Sequence, residues 1–252
     1  MIYTFDEIKN VRELGGLVAS DGKHVKKDLL FRSGELSKAS DRDINLIKNK
    51  YKIKAFIDFR DTSECNINRD VQVEGISYYS FPALPPLNIP EDPVERKAFI
   101  NEWNKRPREI FLNLYKDLAI SSEAKKAYRN FFKVLLSLNG QAVLWHCTQG
   151  KDRTGIATIL ILAALGVSKE DAVNEYFLTN EFMQKEYDKL KETNISAKKL
   201  EIMKIVLFVR HECIDLYLSE IDKKYGSLEN YIKNEIGVTS EEISILRKYY
   251  LK

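Results

Sequence analysis

The sequence predicts an α/β fold, a parallel-rich central sheet flanked by helices with a largely helical C-terminal third, and three observations carry that expectation. Short apolar runs of strand length alternate with segments that show helix caps and helical periodicity. The run Lys54-Ala55-Phe56-Ile57-Asp58-Phe59-Arg60 is close to continuously apolar between its charged ends, as a strand covered on both faces requires. After Gly166 almost every segment reads as helix.

Taken in order, Asp28-Leu29-Leu30-Phe31-Arg32 is the first clear strand. Ser40-x-x-Asp43 has capping-box spacing, and the helix it opens carries Ile44, Ile47 and Tyr51 on one face. Lys54 to Arg60 and Ile76 to Phe81 follow as strands. Five of the six prolines fall between Pro82 and Pro93, which excludes a helix interior or a central strand there. Two readings fit this apolar loop: a lid or binding rim, and a rigid connector into a helix near Phe99. A helix from about Glu123 to Leu138 leads to the strand Ala142-Val143-Leu144-Trp145, and a second apolar helix covers Ile156 to Leu165. Ser168-x-x-Asp171 caps a helix with Val173, Tyr176 and Phe177, Ser227 starts another that Gly237 stops, and Thr239-x-x-Glu242 caps the last.

The length of 252 residues fits one domain, with a core of about residues 1–180 and a helical extension of about 181–252. Lysine and arginine number 40 against 37 acidic residues, a net charge of +3, and no run of like charge is long enough for a nucleic-acid arm or a polybasic membrane anchor. The first residues lack a charged region followed by an apolar one, so no signal peptide is expected and a cytoplasmic location follows. The most apolar window, Ile156 to Leu165, is about half of what a membrane span needs, so no stable membrane insertion is expected. Cys65, Cys147 and Cys213 are widely spaced, and His24, His146 and His211 form no ligand pattern, which predicts reduced thiols, no metal and no cofactor. Nothing in the sequence specifies an oligomeric state.

Chemistry concentrates in His146-Cys147-Thr148-Gln149-Gly150-Lys151-Asp152-Arg153-Thr154-Gly155, between a strand and a helix. A loop feeding a helix N-terminus turns several N–H groups and the positive end of the helix dipole toward one point, an anion site before any side chain is counted. A thiol there is expected to be acidified, and thiolate is the nucleophilic form. Phosphoryl transfer needs an in-line nucleophile, positive charge on the equatorial oxygens and an acid for the leaving group. Cys147 fits the first role. Arg153 fits the second, because its planar fork can hold two oxygens at once, and the N–H groups of Thr148, Gln149, Gly150, Lys151, Asp152 and Arg153 would hold them too. Gly150 and Gly155 permit backbone geometry and close approach. The Thr154 hydroxyl is placed to donate to the Cys147 sulfur. A Walker-type loop is excluded, since Asp152 follows Gly150-Lys151 and Trp145 stands where its first glycine belongs.

The Cys147-x5-Arg153-Thr154 pattern resembles the signature of cysteine-dependent phosphatases, and the longer string resembles the bacterial tyrosine phosphatase-like group with its His-Cys-x-x-Gly-Lys-Asp-Arg-Thr-Gly loop. Asn10-Val11-Arg12-Glu13-Leu14-Gly15-Gly16, Phe31-Arg32-Ser33-Gly34, Ile57-Asp58-Phe59-Arg60, Glu175-Tyr176-Phe177-Leu178-Thr179-Asn180 and Tyr225-Gly226-Ser227-Leu228-Glu229-Asn230-Tyr231 resemble its secondary motifs, in order and over nearly the whole chain. Glu13 and Phe59 stand where that group more usually has Asp and Leu. The resemblance implies hydrolysis of phosphate monoesters through a phosphocysteine, on phosphotyrosine and also on phosphoserine, phosphothreonine or phosphoinositides. It implies Asp152 as general acid, with Asp61 as the rival. Lys151 stands where phosphoinositide phosphatases carry a lysine that meets a second phosphate, but Thr148 replaces their further lysine after the cysteine.

Blander roles compete at several positions. Asp58 and Arg60 read as a structural pair under the loop, and His146, facing away from Cys147 on the strand, as a residue that orients the loop by a hydrogen bond. Arg12 and Arg32 fit either pocket lining or structural ion pairs. Two other functions use a cysteine or an anion loop of this kind: a rhodanese-like sulfurtransferase working through a persulfide, and a non-catalytic phospho-binding module.

Overall fold

The computed structural model describes residues 5–252. Its sheet has five strands, β1 (Arg12–Glu13), β2 (Leu30–Ser33), β3 (Ala55–Asp58), β4 (Ser77–Ser80) and β5 (Val143–His146), in the order β1-β2-β5-β3-β4. Only β1 runs antiparallel to its neighbour; the other three pairings are parallel. The fold class expected from the alternating segments is therefore the one observed. Register aligns Ser33 with His146, His146 with Asp58, and Asp58 with Ser80, so four strands end at one level. The residue after that level on the central strand is Cys147.

β2, β3 and β5 are buried at every position because helices and loops cover both faces. Alternation along each strand divides the side chains between two cores. Phe31, Phe56 and Leu144 pack with Val11, Leu36, Ile47, Tyr51 and Ile53 on one side. Leu30, Ala55, Ile57, Val143 and Trp145 join the larger core on the other, where Phe131 meets the Trp145 ring edge-on at 5.2 Å. Each fully buried side chain of this size contributes about 1.5–3 kcal/mol, and together they fix the register that sets the strand ends. The edge strand β4 is only half-buried, which fits its polar Ser-Tyr-Tyr-Ser sequence.

Eleven α-helices lie among the described residues, two of them extended by π-helical turns at Leu46–Lys50 and Tyr231–Glu235. Ser40 and Asp43 close the expected capping box on α1 (Asp41–Asn45), and α2 (Thr62–Ile67), absent from the sequence reading, follows β3. Asp92 caps α3 (Pro93–Trp103), so the proline-rich stretch ends at a helix start. α4 (Pro107–Ile120) and α5 (Ser122–Ser137) lead to β5. α6 (Asp152–Leu165) begins inside the polar string rather than after it, and Gly166 ends it in the left-handed conformation at φ 85°. Its apolar residues are buried nearly all round because sheet-side packing on one flank meets C-terminal helices on the other. Those helices are α7 (Lys169–Lys191), α8 (Ala197–Leu207), α9 (His211–Tyr225), α10 (Leu228–Asn230) and α11 (Ser240–Tyr250), with caps at Ser168, Ser227 and Thr239 where the sequence places them. No described helix is long and apolar enough to cross a membrane.

Candidate active site

The loop from Cys147 to Lys151 leaves β5 and turns into α6, whose first residues are Asp152, Arg153 and Thr154. Cys147 is buried at the base of a cleft of about 430 Å³ that Thr148, Gln149, Lys151, Asp152 and Arg153 also line. None of the N–H groups from Thr148 to Arg153 donates to a protein acceptor among the described residues. The carbonyls, by contrast, are held from below. Asn10 Nδ2 donates to Gln149 O (3.1 Å) and Gly150 O (2.9 Å), and Arg32 Nη2 donates to Gly150 O at 2.7 Å. A loop whose oxygens are tied down on one side presents its N–H groups on the other, which is the geometry of an anion cradle.

Gly150 has φ +67°, and a Cβ there would stand 2.2 Å from Ser33 O. It is needed twice, for its conformation and for its contact with the neighbouring strand end. A Cβ on Gly155 would stand 2.8 Å from the Tyr176 ring, so this glycine serves helix packing and not the cradle.

Beneath the loop, Arg12 and Arg32 take the structural alternative. Arg12 Nε and Arg32 Nη1 each donate at 2.6 Å to opposite oxygens of Glu175, and Arg12 Nη2 reaches Thr179 Oγ1 at 2.9 Å. Burial, with Arg32 alongside, brings the Arg12 guanidinium down to about 10, while Glu175 works in the opposite direction. The glutamate of the Glu175-to-Asn180 motif thus joins two buried arginines, one of which supports Gly150.

Arg153 is buried, and both its terminal nitrogens are held by Glu64, Nη2 to Oε1 at 2.8 Å and Nη1 to Oε2. Its Nε has no partner among the described residues. Burial would raise the Glu64 carboxyl, but the charge and hydrogen bonds of Arg153, with a further bond from the Thr148 hydroxyl, hold it down at about 2. Glu64 is absent from the sequence reading. The signal was present, because Asp61-x-x-Glu64 has capping-box spacing and places Glu64 in the first turn of a helix leaving β3.

Asp61 is fully engaged in that cap. Its Oδ1 accepts from Glu64 N (2.9 Å) and Ser63 Oγ (2.8 Å), and its Oδ2 accepts from Leu87 N at 2.6 Å. Ser63 Oγ in turn accepts from Ile89 N at 3.1 Å, and Asn66 donates to Glu91. The proline-rich loop is thereby stitched to α2, and its Leu84, Leu87 and Ile89 form one wall of the cleft. It is both rim and anchored connector.

Asp152 lines the cleft, and its Oδ1 accepts from Tyr115 OH (2.7 Å) and from Lys151 Nζ (2.9 Å). The Lys151 ammonium also lies 4.3 Å from the centre of the Phe111 ring. Thr154 Oγ1 is buried without a partner among the described residues, so the expected bond to the Cys147 sulfur is not formed.

His146 points away from the loop, into a buried acidic group. Its Nε2 lies 3.2 Å from Asp70 Oδ2 and its Nδ1 3.7 Å from Asp58 Oδ1, and neither makes a well-aligned hydrogen bond. Arg60 binds both carboxylates, Nη2 to Asp58 at 2.8 Å and to Asp70 at 2.6 Å, and reaches Glu35 at 3.0 Å through Nη1. The expected Asp58–Arg60 pair is thus part of a larger buried network. Against the upward pull of burial, His146 and Arg60 hold Asp58 well below the carboxylate range. Burial and Asp58 push the Cys65 thiol up to about 12, which leaves it protonated at neutral pH. The Asp58, Asp70 and His146 ligand atoms cluster as a cation site would, but Arg60 already supplies the positive charge.

Over 98% of its length the chain is 28% identical to a Cupriavidus necator protein that carries a tyrosine-protein phosphatase name, covering 87% of it. It is 25% identical to the triple specificity protein phosphatase PtpB of Mycobacterium tuberculosis, over 94% of this chain and 98% of that one. A Nostoc commune tyrosine-protein phosphatase matches at 29% over 48% of this chain and 42% of its own. The model of the tyrosine phosphatase family matches residues 3–252, nearly the whole chain. The chain belongs to the tyrosine phosphatase family and is a phosphoric monoester hydrolase.

Proposed function

We propose that this enzyme hydrolyses phosphotyrosine in proteins through a phosphocysteine on Cys147, with phosphoserine and phosphothreonine as slower substrates of the same site. The observation that carries the reading is the Arg153 Nε, buried beside Cys147 without a partner among the described residues and next to a loop whose N–H groups likewise find no protein acceptor among them. Glu64 fixes the guanidinium plane, so Arg153 is oriented before substrate arrives, which lowers the cost of organising charge during reaction.

In the first step Cys147 Sγ attacks phosphorus, the bond to the ester oxygen breaks, and Asp152 gives that oxygen a proton. In the second, Asp152 as carboxylate takes a proton from water, whose oxygen attacks phosphorus and releases the thiolate and inorganic phosphate. Asp152 Oδ2 accepts from no described residue, which leaves that oxygen for the transferable proton. The engagement of Asp61 by three donors favours Asp152 for this role.

Phe99, Trp103, Phe111, Leu114 and Leu84 line the approach to Cys147, and a cleft so walled suits an aryl phosphate. Phosphoinositide hydrolysis is the second reading, favoured by the loop position of Lys151 and by the triple specificity in the name of the mycobacterial relative. The contacts of Lys151 with Asp152 and Phe111 count against its meeting a second phosphate. Family membership leaves the sulfur-transfer reading without support. Cys147, Asp152 and Arg153 are all present, and so the non-catalytic reading has no defect to rest on.

The test is a panel of phosphotyrosine, phosphoserine and phosphothreonine peptides and phosphoinositides, run with wild type and Cys147→Ser. Vanadate-sensitive turnover fastest on phosphotyrosine, abolished in the variant while vanadate still binds, is the expected result. Turnover that survives Cys147→Ser sinks the mechanism, and a phosphoinositide optimum reverses the substrate order.

A further inference from the structure

Two tyrosine hydroxyls from separate helices converge behind Asp152. Tyr115 of α4 donates to Asp152 Oδ1 at 2.7 Å, and Tyr176 of α7 lies 2.6 Å from Tyr115 OH. Because the Tyr115 proton is committed to the carboxylate, Tyr176 must donate to Tyr115. Both rings are fully buried. An isolated hydroxyl buried this way is costly, so the pair is stable only as a chain that ends on an acceptor. Gly155 is what admits it: any side chain there would displace the Tyr176 ring.

We propose that Tyr115 and Tyr176 are positioning residues for the general acid, a two-hydroxyl chain that fixes the Asp152 side chain by Oδ1 and leaves Oδ2 to carry the proton to the leaving oxygen. The proposal rests on the assignment of Asp152 as acid. Lys151 Nζ shares Oδ1, so one oxygen carries two donors and the other is left to the cleft. A carboxyl anchored at one oxygen cannot swing out of reach of the ester oxygen.

The experiment uses the full chain and the variants Tyr115→Phe, Tyr176→Phe, Asp152→Asn and Tyr115→Phe/Asp152→Asn. Turnover is followed on a phosphoserine peptide, a poor leaving group, and on p-nitrophenyl phosphate, a good one, with kcat and KM read separately. Tyr115→Phe should lower kcat on the phosphoserine peptide by about tenfold, the scale of one hydrogen bond to a charged group, with KM little changed and a far smaller loss on the aryl ester. Tyr176→Phe should lower kcat in the same direction by less. In the Asp152→Asn background Tyr115→Phe should cost nothing further, since the two act through one group. Retained vanadate inhibition shows that each variant keeps an intact loop. Additive losses in the double variant, or a Tyr115→Phe loss equal on the two leaving groups, overturn the proposal while leaving the acid in place. An Asp152→Asn loss equal on both leaving groups removes the acid assignment and the proposal with it.

Discussion

Glu64 and Arg153, 89 residues apart, form a buried pair in which the carboxylate takes both terminal nitrogens and Nε has no partner among the described residues. Glu64 owes its position to the Asp61 cap at the end of a central strand, and Arg153 to the start of α6, so the pair joins the ends of two adjacent strands above the sheet.

Breaking that pair should be expensive. Glu64→Ala leaves a buried guanidinium without its counter-charge, a loss of about 3–5 kcal/mol read by denaturant unfolding. The carboxyl sits at about 2 in the folded protein against 4.5 ordinarily, so its stabilisation is full above the ordinary value and is lost as pH falls toward 2. The slope of stability with pH between those limits should flatten in Glu64→Gln. An unchanged slope would mean that Arg153 does not hold Glu64 ionised.

Gly150 admits no side chain. Gly150→Ala imposes about 1–3 kcal/mol of backbone strain alone, before the clash with Ser33 O is relieved. Loss of vanadate affinity with retained secondary structure by circular dichroism is the expected outcome. Wild-type affinity would show that the loop holds its anion in some other conformation.

Asp61 and Asp152 should separate cleanly. Asparagine can keep the cap through one oxygen but sets an amide donor against Leu87 N–H, so Asp61→Asn should lower stability by less than Asp61→Ala, which should cost about 0.5–2 kcal/mol, and both should keep near-wild-type turnover. Neither should change the sensitivity of rate to leaving group. Asp152→Asn should, slowing phosphoserine far more than p-nitrophenyl phosphate. A leaving-group effect in Asp61→Asn instead would move the acid to α2.

Lys151→Met keeps the stem over Phe111 and removes the ammonium. With Lys151 committed to Asp152, the variant should lose similar factors on phosphotyrosine and phosphoinositide substrates. A loss confined to the phosphoinositide would place the ammonium on a second phosphate.

Much of this molecule was legible locally. The continuous apolar runs of β2, β3 and β5, the caps at Ser40, Ser168 and Thr239, and the spacing of Cys147, Lys151, Asp152 and Arg153 are fixed by neighbours within a few residues, where backbone geometry dictates the outcome. That was enough for the sheet and for the loop that carries Cys147. What the side chains of the loop do depends on partners far away in sequence: Glu64 for Arg153, Tyr115 for Asp152, Phe111 for Lys151, Asn10 and Arg32 for the carbonyls below. Periodicity and propensity carry no information about which helix face arrives over a loop. That follows from how the two cores pack against the sheet, and so the tertiary structure alone decided that Glu64 closes on Arg153 while Asp152 faces the cleft.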